Sequence, residues 1–136
     1  MYTIHGFFFQ KNDMPFVAYF DKVDNGNIMI FSVLVRSIFV GAIGPDPEDE
    51  GRLVGFMSDH YGEAELVDVK VDEKQLSFTK YYIHRHDPIF YNFQKKENSF
   101  WVGEGTGPAV GHGYARCVLT EVPKEFFVDP RLNVRV

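Results

Sequence analysis

Apolar residues fall at alternate positions or in short unbroken runs along this chain, and helical spacing is almost absent. Gly, Pro, Asn and Asp separate the runs, as turns require. Strands are expected at residues 2–9, 15–23, 28–35, 52–58, 63–72, 75–83, 89–95, 99–104 and 113–122. Residues 38–43 either prolong the third strand or follow a turn at Arg36 and Ser37. In residues 63–72, Val67, Val69 and Val71 alternate with Asp68, Lys70 and Asp72, which predicts one buried and one wet face. Residues 44–51 hold two prolines and four acids with no apolar face, and read as a loop. Residues 123–128 read as one helical turn, with Phe126 and Phe127 covering a sheet edge.

About nine strands joined mostly by short turns make an antiparallel meander. Left open, that sheet exposes two long edges, and closing it into a barrel removes them. The expected fold is all-β, one domain over residues 1–136 that closes into a small barrel, with a two-sheet β-sandwich as the alternative. In strand number and in Trp101-Val102-Gly103 the outline resembles the calycin-like small barrels. The lipocalin Gly-x-Trp lies near a first strand, whereas here the Trp precedes the Gly and lies late, so no family is assigned. Ser37, Val40, Gly41, Gly44 and Pro45 are echoed by Ser99, Val102, Gly103, Gly107 and Pro108. Both stretches read strand, Gly-Pro loop, strand.

Composition narrows the function classes. The chain has 14 Phe, 7 Tyr and 1 Trp, rings that suit pleated surfaces, apolar cavities and interfaces. Its net charge is −5 and no basic stripe stands out, which argues against a nucleic-acid partner. No apolar run reaches membrane-spanning length, the N-terminus lacks a secretory pattern, and Cys117 is the single cysteine. A soluble cytoplasmic protein with no membrane partner is the expectation.

In a meander the turns alternate between two ends. This parity gathers His60, His84, His86 and His112 at one rim, joined by Asp59, Asp87 and Glu104. His84 and His86 stand two apart and point the same way, so with His112 they form a candidate metal set. The cupin family shares a His-x-His, but its following Glu is missing here. The Gly-rich stretch from Gly103 to Gly113 lacks the Lys-Ser/Thr of a phosphate loop and leads into a strand, so a bulged corner or a lid is expected. Cys117 reads as a buried thiol. Trp101, Tyr81, Tyr91, Tyr114, Arg116 and Glu104 are the candidate ligand-binding residues. Three functions follow. The first is a binding barrel for a small, partly apolar or aromatic ligand that enters at the histidine rim. The second is a protein-interaction module or homodimer, and the third a metal-dependent enzyme using His84 and His86. The sequence names no cofactor and does not decide whether the protein is an enzyme.

Overall fold

The computed structural model describes residues 1–10, 38–84, 87–97, 100–108 and 111–123, apart from the side chains of Gln10 and Glu97. Eight strands run through them: β1 (Tyr2–Gln10), β2 (Ile38–Asp46), β3 (Asp49–Asp59), β4 (Gly62–Val71), β5 (Gln75–Tyr82), β6 (Pro88–Glu97), β7 (Phe100–Gly107) and β8 (Gly111–Glu121). Each pairs antiparallel with the next, and β8 pairs back onto β1, closing the barrel. The all-β meander and its closure are as expected, and the sandwich alternative falls away. The expected strands at 15–23 and 28–35, and all of the expected helical turn after Pro123, lie outside the described residues.

Three local expectations change. The loop at 44–51 shrinks to a turn at Pro47 and Glu48, because β2 runs to Asp46 and β3 starts at Asp49. Asp46 makes this possible. Its Oδ1 accepts from the Glu48 N–H at 2.9 Å, and its Oδ2 accepts from Arg52 Nε at 2.9 Å, so a buried acid closes the turn. The Gly-rich stretch is likewise mostly ladder: Gly105 pairs with Gly113, Thr106 with His112 and Gly107 with Gly111. In β4 the three valines do not share a face. Val67 pairs with Thr79 and Lys70 with Ser77, so β4 holds one extra residue, a bulge at Asp68 with φ 52°. That bulge leaves Val67 on the outer face and turns Val69 and Val71 inward.

The interior follows from strand alternation. Leu76, Phe78, Lys80 and Tyr82 of β5 point in, as do Ile89, Tyr91 and Phe93 of β6. An eight-strand barrel is just wide enough for its side chains to fill. Bulk is therefore matched against its absence across the ladder: Phe93 lies opposite Gly103, Tyr91 opposite Gly105, and Phe39 opposite Gly6. The turns alternate between two rims. The upper rim carries the β3–β4, β5–β6 and β7–β8 connections, and the lower rim carries the β2–β3, β4–β5 and β6–β7 turns, where the Val122 N–H donates to the Met1 carbonyl at 2.9 Å. Among the described residues no helix is long and apolar enough to cross a membrane.

Candidate functional site

A charged side chain, Lys80, is buried inside the barrel. Lys80 is 1% exposed, and its Nζ donates to Asp59 Oδ2 at 2.5 Å and to the Tyr82 hydroxyl at 3.1 Å. Tyr82 in turn donates to the same Asp59 oxygen at 2.5 Å. The Lys80 ammonium also lies over the Tyr82 ring, 4.5 Å from its centroid. The Asp59 side chain is only 9% exposed.

Local structure sets this cluster in place. Asp59 ends β3 and pairs with Gly62 across a two-residue turn of His60 and Tyr61. Its Oδ1 accepts from the Tyr61 N–H at 2.8 Å, so one carboxylate both closes the turn and receives Lys80. Gly62 has φ 127°, which a residue with a Cβ resists. Lys80 and Tyr82 reach the same space because they sit two apart on the inward face of β5.

Burial shapes the electrostatics. It lowers the Lys80 pKa from its ordinary value, against the charge and hydrogen bond of Asp59. It raises the Tyr82 phenol, and the hydrogen bond and charge of Asp59 raise it further. Tyr91 is raised by burial first and by the Asp59 charge second. Tyr91 is the hub of the aromatic wall. Its ring lies 5.2 Å from Phe78, 5.8 Å from Phe93, 5.8 Å from Phe8 and 6.2 Å from Phe39. The Lys80 ammonium is 5.8 Å from the Tyr91 centroid. Phe8, half-buried near the upper rim, rests where a Cβ on Gly105 would stand 2.7 Å from its ring.

The residues singled out from the sequence divide between two surfaces. Trp101 and Tyr91 are buried on the inner face. Trp101 sits toward the lower rim, with Lys95 Nζ 5.9 Å from its ring. Tyr81, Tyr114, Arg116 and Glu104 hold outward register positions, since their neighbours Lys80, Tyr82, Ala115, Cys117 and Gly105 face in. Glu104 and His112 do meet, carboxylate to imidazole, on that outer surface, and the His112 ring lies 5.4 Å from Tyr114. His60, His84 and His112 all stand at the upper rim, while His86 lies outside the described residues. Among the described residues no three His, Cys, Asp or Glu come together as a metal set. Cys117 is buried, and burial raises its thiol pKa.

Sequence reasoning passed over Lys80 as a site residue. The signal was present: in Leu76-Ser77-Phe78-Thr79-Lys80-Tyr81-Tyr82 the alternation puts a lysine on the apolar face. A charge on that face requires a buried partner, and the parity of the turns had already put Asp59 at the same rim. Comparison with protein-family models, with curated proteins and with solved structures returns no match for this chain.

Proposed function

We propose that the protein is a binding barrel, holding a small, partly apolar molecule against the aromatic wall with its polar end at the Lys80–Asp59–Tyr82 cluster. The observation behind this reading is the cluster itself. Stability alone disfavours an ion pair here, because apolar residues of similar volume are commonly as stable or more so. A polar anchor among Phe8, Phe39, Phe78 and Tyr91 is the usual composition of a small-molecule site. Access belongs at the upper rim, where Asp59 and the half-buried Phe8 lie. The single buried thiol of Cys117 suits a reducing compartment such as the cytoplasm.

A second reading has its own observation. On the outer face, Phe100, Val118, His5 and Val40 form one cross-strand row, and Phe7 and Ile38 pair beside it. Val40 is 52% exposed and Phe100 39%, so this row favours association with a second copy of the chain.

Native mass spectrometry, with titration of the neutral fluorophore N-phenylnaphthylamine, tests both. Saturable binding of one fluorophore per barrel, weakened by Lys80→Met, is expected. Absence of saturable binding overturns the first reading, and a monomer mass at every concentration overturns the second.

A further inference from the structure

The apolar outer row of Phe100, Val118, His5 and Val40 has a counterpart on the far side of the barrel. Phe78, Lys80 and Tyr82 of β5 face in, so Thr79, Tyr81 and Ile83 face out. Ile89 and Tyr91 of β6 face in, so Pro88 and Phe90 face out. Tyr81 pairs with Pro88 and Thr79 with Phe90, which makes Ile83, Tyr81, Pro88 and Phe90 neighbours on one surface. Ile83 and Phe90 are each 47% exposed. Carboxylates of β4 border this patch: Glu65 pairs with Tyr81, and the Glu63 carbonyl accepts from the Ile83 N–H at 3.0 Å. β1 and β5 stand four strands apart by either route around the closed barrel, so the two patches face opposite ways.

The two faces also differ in charge. Residues 100–102, 116–120, 3–7 and 38–42, which build the first, include Arg116 and His5 but no Asp or Glu. Residues 63–67, 79–83 and 88–90, which build the second, include Glu63 and Glu65, and their single cation, Lys80, points inward. Resting on the second reading above, association with another copy, we propose that the contact is head-to-tail: the β7–β8–β1–β2 face of one copy docks on the β4–β6 face of the next. Burial of apolar surface drives such a contact, and charge selects its orientation. Like faces meeting would set Arg116 toward Arg116, or the β4 carboxylates toward one another, which like-charge repulsion opposes. Unlike faces set carboxylates toward a guanidinium. A head-to-tail contact leaves one face of each kind open at the two ends. It therefore continues past two copies, into a closed ring or a filament.

One outward substitution on each face tests this: Val40→Glu on the first and Phe90→Glu on the second. Val40 is 52% exposed and Phe90 47%, so neither change disturbs the interior. Native mass spectrometry over a concentration series is the readout. Wild type should show masses beyond a dimer. Each variant alone should stay monomeric at concentrations where wild type associates. Mixed one to one, the variants should form a dimer with one copy of each and grow no further, because each supplies the face that the other has lost. That rescue also shows that both variants fold. Ile38→Glu and Ile83→Glu repeat the experiment at other exposed positions of the same two faces, so a folding defect in one variant does not decide the outcome. A wild type that stops at a dimer, a Phe90→Glu variant that associates as wild type does, or mixtures of both pairs that stay monomeric would each overturn the head-to-tail contact while self-association stands. A wild type that is monomeric at every concentration removes the second reading and this inference with it.

Discussion

Lys80 and Asp59 are unequal partners, and mutation should expose the inequality. Lys80 is enclosed on every side, whereas Asp59 keeps some exposure at the rim and two further donors, Tyr82 and the Tyr61 N–H. Removing the carboxylate strands an ammonium in an aromatic interior. Asp59→Asn should therefore cost about 3–5 kcal/mol of unfolding free energy, the range for breaking a buried pair from one side. Lys80→Met should cost less, since Asp59 retains its other bonds and the methionine fills the same space. The double variant Asp59→Asn/Lys80→Met should be more stable than Asp59→Asn alone, because no charge is left unpaired. Urea denaturation of the three variants reads this order. An Asp59→Asn variant within about 1 kcal/mol of wild type would show that Lys80 has another way to be solvated, contrary to this account of the pair.

At the scale of strands, two glycines of one hairpin should respond to alanine for different reasons. On β7, a Cβ at Gly103 would fall on the Asn92 carbonyl oxygen and 2.7 Å from Phe93 Cα. Both are backbone atoms of the paired strand, so β6 itself would have to move. At Gly111 a Cβ meets nothing within 4 Å, and the obstacle is φ 70° alone. Gly111→Ala should cost about 1 kcal/mol, the left-handed penalty, and Gly103→Ala roughly 2–3 kcal/mol, as overpacking does. Thermal unfolding that placed Gly111→Ala as the more harmful change would reverse the assignment. This hairpin also marks what the residues could disclose beforehand. Alternation and turn residues placed β1 and β3 to β8 near their true positions, left β2 open between a prolonged strand and a new one, and set His60, His84 and His112 at one rim. They could not show that Gly105 and Gly107 are ladder residues, because a Gly-rich stretch carries no alternating pattern to read. Nor could they show the bulge at Asp68, since Val67, Val69 and Val71 alternate perfectly in sequence and only the pairing with Thr79 and Ser77 reveals the extra residue. The echo between the two Gly-Pro stretches was legible, but β2 and β7 are five strands apart and run in opposite directions. Their hairpins therefore close at opposite rims, and no rotation about the barrel axis superposes them.

For the barrel as a whole, closure ties ionisation to unfolding. Tyr82, Tyr91 and Cys117 are buried in the barrel, and burial raises all three above their ordinary pKa values of 10, 10 and 9. As pH rises past those values the unfolded chain loses protons that the folded barrel still holds. The unfolded state is thereby favoured, and stability falls. Lys80 acts in the other direction. Its folded pKa is lowered, so below 10.5 the unfolded chain binds the proton more strongly, and its contribution to stability grows as pH rises toward that value. Beyond 10.5 this gain is complete, and the two phenols and the thiol act unopposed. Urea midpoints should therefore drop steeply between about pH 10 and 11, each buried group adding up to about 1.4 kcal/mol per pH unit. Tyr91→Phe removes one such group and should lose about 1 kcal/mol less than wild type over that interval. The phenolate absorbance of native protein at the same pH supplies the independent check. If Tyr91→Phe lowers that absorbance while the barrel is still folded, Tyr91 ionises in place, and its burial does not hold the proton.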